Sequence, residues 1–229
     1  MILVSTYYKS KNEERNKELE KCLYKNYENR YIEKIYLLND KIYDLPFIDK
    51  KKKIIQYVIN EDPTYKLKYN DAIQFINEHL NNKICILSNS DIYFNNTLSK
   101  INNKIINNNF FALLRYDEDY KGFKHIFSRF NEPRNDAQDC WIFRAPLDLP
   151  MNKLDFSLGT LGCDNMFATI VHESKINISN PSLDIIITHV HNSGIRTYDE
   201  IDRIYGKYTF LVPCKLGIIP KVVFYDYIL

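Results

Sequence analysis

Three short apolar runs, each cut off by small polar residues, set the terms on which this chain can fold. They are Ile2-Leu3-Val4 before Ser5-Thr6-Tyr7-Tyr8, Ile35 to Leu38 before Asn39-Asp40, and Ile84 to Leu87 before Ser88-Asn89-Ser90-Asp91. Runs this short do not make free-standing helices and suit buried strands. Between the first two, residues 12–27 place Leu19, Cys22, Leu23 and Tyr27 on one helical face. The other face carries Glu13, Glu14, Lys17, Glu18, Lys21 and Lys25, which reads as an ordinary solvated surface. Residues 54–59 predict another strand, ended by Glu61-Asp62-Pro63. A helix capped by Asn70 or Asp71, with Ala72, Ile73, Phe75, Ile76 and Leu80 inward, leads into the third run. Strand, helix, strand with short connections is the rhythm of a parallel sheet.

The second half reads differently. Residues 97–106 predict a helix and 110–114 a strand. Strands over 123–130 and 140–143 follow with no helix between them. Five of the six glycines lie beyond residue 150, where tight turns and close backbone approaches are expected. The expectation is an α/β fold, a mostly parallel sheet flanked by helices with a β-rich C-terminal half. A length of 229 residues without a divisible linker predicts a single domain over 1–229.

Composition narrows the function classes. Net charge is +2, from 31 basic and 29 acidic residues, which gives no basic face for a nucleic-acid partner. The run Lys50 to Lys53 reads as solvated surface. Cysteines 22, 85, 140, 163 and 214 are odd in number and have no CxxC spacing, so buried thiols in a reducing compartment are expected. The first residues lack the basic stretch of a signal peptide, and no run of about 18 apolar residues predicts a membrane span. A cytoplasmic protein is the expectation.

Four stretches carry residues suited to chemistry. Asp91 follows a buried strand, at the end of which ligands collect in open α/β sheets. A carboxylate there is a hard ligand for Mg²⁺ or Mn²⁺, or else part of an Asx-type turn. Gln138-Asp139 stands at the mouth of the strand holding the only tryptophan, Trp141. In Gly159-Thr160-Leu161-Gly162-Cys163-Asp164, two glycines tighten a loop and Asp164 falls at or near a helix N-terminus. In Thr188-His189-Val190-His191, strand alternation puts both histidines on one face, as a metal pair or a phosphate-facing pair requires. Arg196 and Tyr198 follow after a glycine turn, within reach of diphosphate oxygens.

Assembled, these residues resemble a GT-A fold glycosyltransferase, closest to small transferases of large DNA viruses and to related bacterial surface-glycan enzymes. The resemblance covers most of the chain, from Met1 to about Tyr198. Asn89-Ser90-Asp91 looks like that family's DXD metal motif, with Asn89 where the first acid often stands. The resemblance implies that Asp91 binds Mn²⁺ or Mg²⁺ and that His189 or His191 completes the metal shell. It implies a general base at Asp164, with Asp139 second, and inverted anomeric stereochemistry if Asp164 does this work. Thr6, Tyr7 and Asn39 fall where such enzymes hold a nucleoside, and Lys66, Lys68, Tyr69 and Asp71 near the nucleotide pocket. The implied donor is a nucleoside-diphosphate sugar, UDP first, and the implied acceptor a glycan or other hydroxyl. A nucleotidyltransferase is the nearest alternative, although the loop after the first strand lacks its glycines. A non-catalytic nucleotide-sugar or glycan-binding module is the other.

Overall fold

The computed structural model describes residues 1–195, 199–218 and 221–227. The chain runs β1 (Ile2–Ser5), α1 (Glu13–Glu28), β2 (Lys34–Asn39), β3 (Ile54–Val58), α2 (Tyr69–His79), β4 (Ile84–Ser88) and β5 (Ile92–Phe94). A 3₁₀ turn at Asn96–Lys100 and the one-turn α3 (Asn103–Ile106) lead to β6 (Asn109–Leu113) and β7 (Arg115–Glu118). Next come β8 (Lys124–Ile126), β9 (Ser128–Arg129), β10 (Glu132–Pro133) and β11 (Cys140–Arg144). The chain continues through α4 (Cys163–Glu173), β12 (Asn177–Ser179), β13 (Ile187–His189), β14 (Gly206–Leu211) and β15 (Val222–Tyr227).

Among the described residues, seven strands form the main sheet in the order β12-β6-β11-β4-β1-β2-β3. The expected parallel pairing holds for β4, β1, β2 and β3. The sheet as a whole is mixed, because β11 enters antiparallel between β4 and β6. No helix separates β8 to β11, so no crossover turns the chain to parallel. A second sheet, β5-β13-β7-β8, continues from the edge where β4 and β6 end.

Alternation along each strand builds the two faces of the main sheet. Val4, Leu87, Trp141, Phe143, Phe110 and Ala112 point to the side covered by α2 and α4. Leu3, Ile35, Leu37, Ile86, Phe111 and Ile142 point to the side covered by α1 and by Leu98, Ile101 and Ile106. Burial on both faces explains why these strands read as near-continuous apolar runs.

Several local expectations are corrected. The helix expected over 97–106 is a 3₁₀ turn and a single α-turn, interrupted at Ile101 and Asn102. The strand expected over 123–130 is split between two sheets. Helix α2 begins at Tyr69 with Lys68 at its cap position and no side-chain cap bond, so neither Asn70 nor Asp71 caps it. Lys53 is not solvated surface. Its Nζ is buried and donates to the carbonyls of Asn26 (3.0 Å), Tyr27 (2.7 Å) and Asn29 (2.8 Å), satisfying the end of α1. The five cysteines are free thiols, four of them buried. Among the described residues, no helix is long and apolar enough to cross a membrane.

Candidate active site

One edge of the main sheet gathers the chain segments rich in polar groups. Strands β1, β2, β4 and β6 all finish there, and antiparallel β11 starts there, with Cys140 opposite both Ser88 and Leu113. Thr6, Asp40, Asn89 to Asp91, Arg115 and Asp139 therefore reach a common rim. A cleft of about 1260 Å³ lies along it, larger than the roughly 300–1,000 Å³ usual for small-ligand sites.

One wall carries an acid and two histidines. His189 is in register with Asp117 of β7 on one side and Ile92 of β5 on the other, which sets it beside Asp91. Its Nε2 lies 3.3 Å from Asp91 Oδ2, and His191 Nδ1 lies 3.6 Å from the same oxygen. One ligand atom from each of Asp91, His189 and His191 lies within 4.8 Å of the others. His189 Nδ1 is 2.8 Å from Asp117 Oδ1, so the ring is oriented by a carboxylate and Nε2 faces the cluster. This donor set fits a divalent cation. Two imidazole nitrogens and one carboxylate suit Mn²⁺ better than Mg²⁺, which prefers oxygens alone.

Burial would raise the pKa of Asp91. The charge of His189, hydrogen bonds from His189 and His191, and the charge of Arg15 outweigh it and hold the carboxyl well below its usual range. Burial would likewise lower His189, but Asp91 and Asp117 lift its imidazole to about 9.

Charged residues missed in the sequence complete this wall. Arg15 Nη2 donates to Asp91 Oδ2 at 2.7 Å, and Arg15 Nη1 donates to Glu18 Oε2 at 3.0 Å. Glu18, expected on the solvated face of α1, is only 7% exposed and accepts from the backbone N–H (2.6 Å) and hydroxyl (2.8 Å) of Ser193. Helical spacing carries the missed signal, because Arg15, Glu18, Leu19 and Cys22 follow i, i+3, i+4, i+7 on the apolar face. Asp117 leaves no such trace, since its role depends on long-range strand pairing.

Asp164 lines the same cleft. The left-handed Gly162 (φ 80°), not Asp164, occupies the cap position of α4, and Asp164 stands within the first turn. A Cβ on Gly162 would collide with the Tyr208 ring, so the glycine is required twice over. Asp164 Oδ2 accepts from the backbone N–H of Gln138 at 2.8 Å. Burial and the neighbouring charge of Asp139 raise its pKa to about 7 against that bond. Asp139 has both carboxylate oxygens engaged. Arg115 Nη1 contacts both of its oxygens (3.1 and 3.0 Å), and Asn89 Nδ2 donates to it at 3.3 Å. Arg115 also binds Asp117 through Nε at 2.9 Å and so ties Asp139 to the carboxylate that orients His189.

The remaining predicted residues divide. Thr6, Lys66, Asn89 and Ser90 line the cleft. Tyr69 does not: it is fully buried against Phe167 (4.4 Å between centroids), Phe156 (5.0 Å) and Trp141 (5.1 Å). Tyr7 is buried in the core on the α1 side. Asn39 is buried as a clamp, accepting from the Tyr7 backbone N–H (2.8 Å) and Thr6 Oγ1 (3.3 Å) while donating to Gln56 (3.1 Å). Lys68 and Asp71 line a separate hollow of about 490 Å³, where Lys68 pairs with Asp155 at 2.6 Å and Asp71 with the Tyr65 hydroxyl. Tyr8 and Tyr43, which the sequence did not single out, line the cleft near Thr6 and Asp40. Arg196 and Tyr198 lie outside the described residues.

No family model matches this sequence, and no curated protein sequence matches it. The chemistry of the site is therefore the ground for assigning a function.

Proposed function

We propose that this chain is a divalent-metal-dependent glycosyltransferase of GT-A type, moving a sugar from a nucleoside diphosphate, UDP first, to a hydroxyl of a glycan. The observation that carries the proposal is one cleft holding both a cation-binding cluster and a separate acid with a pKa of about 7. Transfer from a sugar nucleotide needs help at these two ends. Asp91, His189 and His191 would hold Mn²⁺, which neutralises charge developing on the leaving diphosphate when bound.

The chain's own residues supply the rest. Asp164 takes the proton of the acceptor hydroxyl, and a pKa near the working pH suits a general base. The Gln138 N–H fixes one oxygen of that carboxylate. Asp139, tied to Arg115, keeps a negative charge beside Asp164 and sustains its basicity. Tyr8 and Tyr43 line the same cleft and would give a flat base aromatic surface to pack on. Lys66 contributes a cation for phosphate oxygens. Attack assisted by Asp164 implies inversion at the anomeric carbon.

The test is release of nucleoside diphosphate from a panel of UDP-, GDP- and dTDP-sugars with Mn²⁺, with and without a glycan library. Release with at least one donor, abolished by chelation, is expected. Tight nucleotide binding with no release from any donor would leave a binding module as the better description. Pyrophosphate release from a nucleoside triphosphate and a sugar phosphate would point to nucleotidyl transfer.

A further inference from the structure

We infer that the cleft-facing side of hairpin β14–β15, with Phe210 and Tyr225 as its ring surfaces, holds a sugar ring of the acceptor, so that this chain extends an existing glycan. The inference rests on the transferase reading above and names what its acceptor side recognises.

Strand alternation gives the hairpin two faces. Thr209 and Leu211 of β14 turn to the protein interior. Both are fully buried, and Thr209 Oγ1 lies 3.0 Å from Thr169 Oγ1 of α4. Phe224, opposite Thr209 in register, packs on His172 of the same helix at 5.3 Å between ring centroids. Tyr208, Phe210 and Tyr225 occupy the other face, and all three line the cleft. Phe210 and Tyr225 pack ring to ring at 4.6 Å, with 33° between their planes. Exposure rises from 2% at Tyr208 to 51% at Tyr225. An aromatic ring half exposed inside a cleft has apolar area left to bury against a ligand.

This face adjoins the proposed base. Tyr208 stands against Gly162, which caps the helix that carries Asp164. The Leu211 N–H donates to the carbonyl of Asn135 at 2.9 Å, in the segment whose Gln138 N–H binds Asp164. A pyranose offers a face of C–H groups and a rim of hydroxyls. Aromatic faces take the first, and a few placed polar groups take the second. Thr160 and Asn165 line the same cleft, as does the ion pair of Arg134 and Asp136, with Nε to Oδ1 at 2.7 Å. A lipid tail against that pair would remove its water and return no hydrogen bonds, which is unfavourable. Hydroxyls replace what the water gave.

The experiment uses the full chain and the glycan library of the donor test. Glycan binding is read by saturation-transfer difference NMR, which needs no turnover, and the best binder then serves as acceptor. At least one glycan should bind, with the strongest transfer to its ring C–H protons. Tyr225→Ala should weaken that binding about tenfold, the scale of one aromatic contact with its burial. Tyr225→Phe should bind like wild type, because the ring face makes the contact. Phe210→Ala should act like Tyr225→Ala, and the half-exposed Tyr225 keeps the test alive if Phe210→Ala does not fold. In turnover the KM for the glycan should rise while UDP affinity, by calorimetry, stays within about twofold. The inference is overturned if no glycan binds a chain that binds UDP, or if folded Tyr225→Ala binds the glycan like wild type. Loss of UDP affinity in either variant also overturns it, since the rings would then hold the nucleotide. So does transfer to a peptide or lipid acceptor that is insensitive to Tyr225→Ala. If the chain binds a glycan through Tyr225 but neither binds nor cleaves any sugar nucleotide, the transferase reading itself fails, and the acceptor role falls with it.

Discussion

Asp91 and Asp164 are both acids near the end of a buried element, they line the same cleft, and their surroundings drive them in opposite directions. Asp91 meets Arg15, His189 and His191 and is held ionised far below the usual carboxylate range. Asp164 meets a backbone N–H and the charge of Asp139 and is raised to about 7. Two carboxylates separated in this way are fitted for two tasks, one to hold positive charge and one to exchange a proton. Burial pushes both upward: at Asp164 it is the largest cause of the rise and the charge of Asp139 adds to it, whereas at Asp91 the histidines and Arg15 overcome it.

The largest effect that sharpens this contrast is expected at the proton-exchanging end. Asp164→Asn keeps a side-chain oxygen for the Gln138 N–H and removes the base. The transfer rate should fall by about 10² to 10⁴-fold while donor affinity stays within about twofold, measured by steady-state kinetics and calorimetry. A parallel loss of donor binding would place Asp164 in the donor site and erase the division of labour.

At the charge-holding end, Asp91→Asn leaves Arg15 facing a neutral group, with only Glu18 as a carboxylate partner. Breaking a buried ion pair from one side costs about 3–5 kcal/mol, so denaturant unfolding should show a lower midpoint. Mn²⁺-dependent UDP affinity should drop at least about tenfold, or roughly 1.4 kcal/mol. A variant with wild-type stability and wild-type UDP affinity would remove Asp91 from both roles.

The contrast also marks what the sequence made legible. Asp91, Asp164 and the histidine pair were readable because each ends or opens an element with a strong local signature: an apolar run, a glycine loop or strand alternation. The strands of the first half were readable for the same reason. What local pattern could not carry was pairing across the fold. Tyr69 is a helix residue beside a lysine-rich loop in the sequence and a core residue in space, because α2 packs on the face holding Trp141 and Phe167. Asn39 sits at a strand end like Asp91 but turns inward to clamp Thr6 and Tyr7. Arg115 and Asp117 enter the site only because β7 lies beside β13. The antiparallel entry of β11, which brings Asp139 to the cleft, likewise depends on a connection whose length and polarity do not specify direction.

A smaller effect tests the electrostatics at Asp164 without any substrate. Its folded pKa of about 7 lies above the ordinary aspartate value of 3.8. A group raised on folding contributes stability below its unfolded pKa and loses it as pH rises through the folded one. The native state therefore loses stability from this group between about pH 4 and 7. Asp164→Asn removes that loss, so its melting temperature should match wild type near pH 3 and exceed it increasingly from pH 5 to pH 8. A variant less stable than wild type at pH 8 would mean that the ionised carboxylate is favourably bound, contrary to the raised pKa.

The smallest effect separates Asp139 from Asp164. Asp139 is tied to Arg115 by two contacts and to Asn89 by a third, which leaves its charge in place but its lone pairs engaged. Its charge is one of the two leading causes of the raised Asp164 pKa. Asp139→Asn keeps the shape, keeps Arg115 paired with Asp117, and removes that charge. The acid limb of the pH–rate profile, set in wild type by Asp164 at about 7, should then move to lower pH. At pH 8, where Asp164 is ionised in either protein, the rate should change by only a few-fold. A collapse of the rate at all pH values would make Asp139 the base and reduce Asp164 to a residue that anchors the Gln138 loop. A limb that stays where it was would show that Asp139 does not set the basicity of Asp164, leaving burial as the sole cause of its displacement.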